Sequence, residues 1–398
     1  MNKKSKDYKL VENFVFQSEL ELNKLFLSRS KNVYLKLQNI LNIFHDEKLS
    51  SSNFINSTGM GFDDISREKI DNIYARLFQS EKAAVRMQFV SGTHAISSVL
   101  FGILRPGDMM LSVTGNPYDT LEEVIGLRKK GQGSLVDFGI KYKQLDFRES
   151  SNFNKKLREI ISQTDCKLVF IQKSCGYTWR NSLHAKDIEK ICKMVHSIDK
   201  NCICFVDNCY GELVEDKEPT AYGANIVAGS LIKNLGGTIV PSGGYIAGDQ
   251  ELVELACCRL TSPGIGSKAG INFGLSRIIL QGLFLSPQMI YESLNCADLI
   301  AYVFKKIGFK VLPEPGAYRS DIIQAIQLKD PFLIQKICQS FQSSSPVDSF
   351  LNVIPSVMNG YESNLLMAGG TFIEGSTSEF SADAPLREPY NIFIQGGT

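Results

Sequence analysis

The sequence predicts an α/β protein, with a mostly parallel sheet covered by helices on both faces and a smaller C-terminal α/β domain. Three observations carry this. Short runs rich in β-branched and aromatic residues alternate with helical patterns between positions 85 and 232. Those runs are apolar throughout, as in strands buried on both faces. From about residue 290 the rhythm changes to helix, strand, helix and a glycine-rich tail. The 398 residues, 43% of them hydrophobic, provide apolar material for more than one core.

Taken in order, residues 10–50 read as helix, with Val33, Leu37, Ile40, Leu41 and Phe44 at helical spacing until Ser50–Asn53 breaks the pattern. Val85–Val90 reads as a strand and His94–Leu104 as the helix after it. Met110–Val113 is a second strand, with a helix from about Asp119. Leu168–Gln172 and Ile203–Val206 are buried strands flanking a helix over Ile188–Ile198, and Asn225–Leu231 is another strand. Helices over Leu252–Leu260 and Leu294–Ile307 follow. Right-handed crossovers then make the sheet mostly parallel. The expected division is an N-terminal helical segment 1–54, a large domain 55–290 and a small domain 291–398.

Charge narrows the partners. With 43 basic and 42 acidic residues there is no bulk attraction for nucleic acid or an anionic membrane surface. The longest apolar runs, Val99–Leu104 and Ile226–Ile232, fall far short of the about 18 residues of a membrane span. Phe14–Phe16 is followed at once by Gln17, Ser18 and Glu19, which is no signal-peptide core. The ten cysteines form no C-x-x-C pair and the four histidines lie far apart, which argues against a metal site. Reduced thiols, a cytoplasmic location and a small-molecule partner are expected.

In such a sheet, ligands bind beyond the carboxyl ends of the strands, so the residues after each strand are the candidates. Ser91, Gly92 and Thr93 open a helix after the first strand. Glycine admits close backbone approach, and free helical amides attract an anion. A plain strand-to-helix turn needs the same residues. Gly115–Tyr118 is a turn projecting one aromatic ring at the same edge, which reads as packing or as a stacking face. Asp207 ends a buried strand, where a carboxylate is costly without a cationic or protonated partner. Lys233, in Gly229–Gly237 with Ser230, follows another buried strand; such a lysine either snorkels or serves as a nucleophile with a lowered pKa. Together these supply an anion cradle, a stacking ring, an acid for a ring nitrogen and an amine able to form a Schiff base. Those are the requirements of pyridoxal phosphate.

The order and spacing resemble the fold-type I pyridoxal-phosphate enzymes of the cystathionine/methionine lyase group, and more closely the methionine gamma-lyase-related branch known as aluminium resistance protein. The matching stretches are Phe89–Ile96, Gly176–Arg180, Asp207–Glu212, Gly229–Gly237, Leu260–Gly266 and Ser381–Tyr390. The resemblance implies a seven-stranded large domain, a carbon–sulfur lyase acting on a sulfur-containing amino acid, and a homodimer or homotetramer with active sites at the dimer interface. It makes Lys233 the Schiff-base lysine, Asp207 the partner of the pyridine nitrogen and Tyr118 the stacking residue. Ser91, Gly92, Thr93 and Ser230 become cofactor ligands. For the substrate carboxylate it points to Arg387, with Arg319 second.

Three departures stand out. Ile232 occupies a position where better-known members have threonine. Phe62–Asp64 replaces a Tyr-x-Arg element that reaches the neighbouring subunit's phosphate, with Arg67 as the residue that restores the charge. Thr120 corresponds to the active-site cysteine typical of methionine gamma-lyase. An aminotransferase, a replacement synthase, or a cofactor-binding stress-tolerance protein with little turnover would use the same elements.

Overall fold

The computed structural model describes residues 3–128, 131–148, 151–376 and 379–397. Its elements run α1 (Lys3–Asp46), α2 (Ile65–Leu77), β1 (Lys82–Arg86), α3 (Gly92–Ile103), β2 (Met109–Ser112), α4 (Asp119–Ile125), β3 (Lys141–Gln144), α5 (Phe153–Gln163), β4 (Cys166–Gln172), α6 (Ala185–Ile198), β5 (Ile203–Asp207), β6 (Ile226–Ser230), β7 (Gly244–Gly248), α7 (Gln250–Leu260) and α8 (Ser276–Lys306). The C-terminal part adds β8 (Lys310–Leu312), β9 (Ile323–Gln327), α9 (Pro331–Ser343), β10 (Leu365–Ala368), β11 (Ser381–Pro385) and β12 (Asn391–Gln395).

The large sheet has seven strands in the order β1-β7-β6-β5-β4-β2-β3. All are parallel except β7, which runs antiparallel between β1 and β6. Alternate residues of β4 show why its sequence reads as one apolar run. Val169 and Ile171 join a core with Ile70 of α2, Ile191 of α6 and Ile279 of α8. Leu168 and Phe170 enter the opposite core with Val99 of α3 and Val253 of α7. Two strands escape the sequence pattern. In β3 the four residues are polar and mostly exposed at the sheet edge. In β7, glycines at both ends leave only Tyr245, Ile246 and Ala247 to signal a strand.

The second sheet is antiparallel, in the order β10-β11-β12-β9-β8. One face buries Ile326, Ile392, Ile394 and Leu366 beneath α9 and Ala301 of α8. The other face carries Ile323, Ala325 and Phe393 against Cys175, Tyr177 and Tyr210 of the large domain. Helix α8 serves both sheets and holds position 290 in its middle. Its Asp298 binds Arg29 of α1 and Arg319. Among the described residues no helix is long and apolar enough to cross a membrane.

After β6 the chain passes Lys233 and lies directly on α8. Gly237 has φ +52°, and a β-carbon there would fall 2.3 Å from the carbonyl oxygen of Gly282. Both conformation and space therefore demand glycine. Gly237→Ala is expected to lower the unfolding free energy by about 2–3 kcal/mol, read as a shifted urea midpoint at unchanged slope.

Candidate active site

A cleft of about 230 Å³ opens where the carboxyl ends of β4, β5 and β6 meet the second sheet. Ser91, Gly92, Thr93, Tyr118, Asp207, Ser230 and Lys233 all line it. The fold thus brings together seven of the nine residues singled out from the sequence. Each arrives by an element of the large sheet. Register pairs Gln172 with Asp207 and Asp207 with Ala228, which aligns the ends of β4, β5 and β6. Ser91 caps α3 by accepting a hydrogen bond from the His94 amide at 3.1 Å, leaving the earlier amides of the helix facing the cleft. Its hydroxyl is therefore already engaged in the fold. Gly92 sits so close to Ser230 that a β-carbon would lie 3.1 Å from that side chain.

The electrostatics follow from burial. Asp207 accepts the Cys209 amide at 3.1 Å, yet burial pushes its carboxyl up to about 6. Lys233 lies 3.5 Å over the ring of Tyr210, and the low-dielectric surroundings hold its pKa below the ordinary lysine range against the pull of nearby acids. Tyr210 itself has φ +71°, a left-handed backbone that costs about 1 kcal/mol or more in a non-glycine residue. Beneath it, Glu212 is fully buried, takes the Tyr245 hydroxyl at 2.8 Å and is pushed up to about 8 by burial. The nearby Lys173 is committed elsewhere, 3.2 Å from Glu215 and 3.3 Å from the Gly211 carbonyl.

Neither candidate arginine lines the cleft. Arg319 is buried against Asp298 at 3.1 Å, bonds Gln324 at 2.5 Å and borders a different hollow, beside His184 and Tyr318. Arg387 borders an adjoining hollow and stands 3.7 Å from both Asp119 and Glu362. Arg67 does not point outward either; its guanidinium ties the carbonyls of Gly61 and Gly270 together. Thr120 and Ile232 do line the cleft, and Thr120 faces the Thr93 hydroxyl at 3.4 Å.

Other lining residues were not singled out from the sequence. Gln172 ends β4 and receives the Tyr118 amide at 3.0 Å; reading the last residue of every strand finds it. Tyr177 and Asp383 lie within matched stretches, but only the packing of the second sheet aims them inward.

A family model described as methionine gamma-lyase matches residues 11–398. The chain belongs to the methionine gamma-lyase family. It is 42% identical to the uncharacterized protein YnbB of Bacillus subtilis (strain 168) over 359 residues, covering 90% of this chain and 85% of that one. The L-methionine gamma-lyase of Pseudomonas putida is more distant, 24% identical over 258 residues, 63% of this chain and 58% of that one. The crystal structure of a carbon-sulfur lyase involved in aluminum resistance from Clostridium novyi NT matches with a TM-score of 0.92 and 42% identity, covering 100% of this chain and 96% of that one. The fold-type I architecture implied by the matching stretches is the one found, seven-stranded sheet included.

Burial of Asp207 has a measurable consequence in the ligand-free protein. Its folded-state pKa lies near 6 against an ordinary 3.8, so the folded state holds a proton that the unfolded chain releases. The stabilisation is complete below about pH 4 and is lost as pH rises through about 6. At pH 8, Asp207→Asn is expected to stabilise this form by up to about 3 kcal/mol, with the gain vanishing at pH 4. Urea midpoints at the two pH values check the sign.

Proposed function

We propose that the chain is a pyridoxal-phosphate-dependent carbon–sulfur lyase acting on a sulfur-containing amino acid. The observation that carries this is the convergence, in one cleft, of a helix N-terminus, a buried acid and an amine. Each is incomplete alone. Among the described residues Asp207 has no cation bonded to it, and the Lys233 amine, 3.5 Å over the Tyr210 ring, has no hydrogen-bond acceptor. A phosphorylated pyridine aldehyde complements all three: its phosphate suits the α3 amides and Ser230, its ring N–H suits Asp207, and its carbonyl carbon suits the Lys233 amine. The family and the named activity of the Clostridium novyi protein support the same reading.

When bound, this cofactor supplies an electron sink for the pair left at the substrate α-carbon. The chain's own residues do the rest. Asp207 keeps a proton on the ring nitrogen, its buried charge offset by that cation. Lys233, with its lowered pKa, takes the proton from the α-carbon and can return one. Tyr118 and the hydroxyls of Thr93 and Thr120 line the wall beside it. The proposed reaction breaks the bond from sulfur to the β or γ carbon, sulfur leaving as a thiol that takes up a proton, and one water hydrolyses the remaining imine to ammonia and an oxo acid.

We further propose that the chain works as a homodimer. Met60, Phe62, Val90 and Phe273 are exposed on segments joined by the Gly270 amide to Met60 and by Gln88 to the Ile271 carbonyl. This apolar surface adjoins Ser91 at the cleft, and its burial against a second copy would remove it from water.

Borohydride treatment of the yellow protein is expected to fix the cofactor on the peptide holding Lys233; label on Lys173 or Lys268 refutes the assignment. Asp207→Asn is expected to lower thiol and oxo-acid release by on the order of 100-fold, with cofactor retention less affected. If ammonia appears only when an oxo-acid acceptor is added, the enzyme is an aminotransferase. In sedimentation, Phe62→Glu is expected to shift dimer towards monomer, whereas a wild-type monomer at micromolar concentration contradicts the dimer.

A further inference from the structure

The second sheet brings an acid into the cleft. Asp383 of β11 stands opposite Phe393 of β12, and both side chains face the large domain. One Asp383 oxygen, Oδ2, accepts the Tyr177 hydroxyl at 3.0 Å and the Gln395 amide at 3.2 Å. The other oxygen accepts nothing from the described residues. The two donors on one oxygen fix its direction, while burial holds the carboxyl above its ordinary range against the pull of those donors and of the Lys233 amine, so a cation brought to the free oxygen would favour the ionised form.

The remaining acids of the cleft are accounted for. Asp119 has Arg128 at 3.4 Å and Arg387 at 3.7 Å, and Asp207 is matched to the ring nitrogen in the reading above. Asp383 has no cation within salt-bridge distance among the described residues. Lys233 is the only lysine or arginine lining the cleft or the vestibule of about 750 Å³ outside it, again among the described residues. The vestibule adds Asp348 and Glu374. A route lined this way repels an anionic side chain and attracts a cationic one.

We propose that Asp383 is a specificity-determining residue that receives an ammonium group carried on the departing thiol fragment, so that the substrate class is an S-(aminoalkyl)-type amino acid rather than a plain S-alkyl one. This rests on the lyase reading for which group departs, while recognition of the ammonium is separable from it. Tyr177 and Gln395 are the positioning residues, holding Oδ2 so that the second oxygen faces the cleft. Phe393, beside Asp383, packs on the methylene stem of such a side chain.

The test compares matched pairs on the cofactor-loaded protein: S-(2-aminoethyl)-cysteine against S-propyl-cysteine, and S-(3-aminopropyl)-cysteine against S-butyl-cysteine. Thiol release is expected to favour the better-fitting amine over its alkyl partner by about tenfold or more in kcat/KM, the scale of one charge-assisted hydrogen bond. Asp383→Asn, checked for folding by an unchanged cofactor spectrum, is expected to abolish that preference while leaving the alkyl substrate within about threefold. Borohydride-reduced protein, which binds without turning over, gives the second readout by calorimetry: tighter binding of the amine, lost in Asp383→Asn. Equal handling of amine and alkyl substrates by the wild type overturns the proposal and leaves the lyase reading intact. An equal loss on both substrates in Asp383→Asn also overturns it. If no substrate releases thiol, the lyase reading fails, and the calorimetric preference alone decides whether Asp383 receives the amine.

Discussion

Holding a buried carboxylate and a half-buried amine against apolar and aromatic walls is the constraint on which the rest of the molecule depends. Asp207 sits at the end of a strand sealed on both faces, and its carboxyl is buried to the point that burial outweighs the hydrogen bond it accepts. Lys233, a short turn beyond the neighbouring strand, is half-buried and lies against an aromatic ring at the cleft. An isolated charge in such surroundings costs several kcal/mol, and two of them in a protein only marginally stable overall demand a large compensating core. The apolar runs of β4, β5 and β6, with helices on each side, provide it. Strain collects where this environment is built: Tyr210 holds a left-handed backbone to cover Lys233, and Gly237 lets the following turn close on α8. Burial at the site and glycine in the turn are two parts of one arrangement.

The sequence made the large domain legible because a parallel sheet covered on both faces writes its strands as apolar runs. Leu168–Gln172 and Ile203–Val206 could be read for that reason, as could the residues just after them. The same logic failed where its premise fails. β3 lies at the sheet edge and is polar, so no apolar run marks it. β7 is held by its neighbours on both sides while its own glycines carry little strand preference. Helix α8 extends far towards the N-terminus of the Leu294–Ile307 pattern, running through Pro287, a residue that reads as a helix break in the sequence. In the site, the groups fixed by one strand end each were recovered. The arginines were not, since an arginine's partner is a tertiary fact: Asp298, more than twenty residues from Arg319 in sequence, had already claimed it.

Two sheets divide the labour of the cleft. The large one supplies the helix terminus, the acid and the amine, all anchored in a rigid layer whose register aligns them. The antiparallel sheet supplies Ile323, Asp383, Phe393 and Gln395. The first set is fixed in place by strand ends and a helix start whose backbones belong to the core. The second set can vary residue by residue, since each side chain is one face of an antiparallel strand whose backbone bonds do not depend on it. In this chain the wall it forms is acidic and aromatic, and the cleft it closes holds no arginine among the described residues. Asp383 meets this cavity with one oxygen held by two donors and the other free among the described residues, so the second sheet contributes a directed acid to a space whose floor is built by the first.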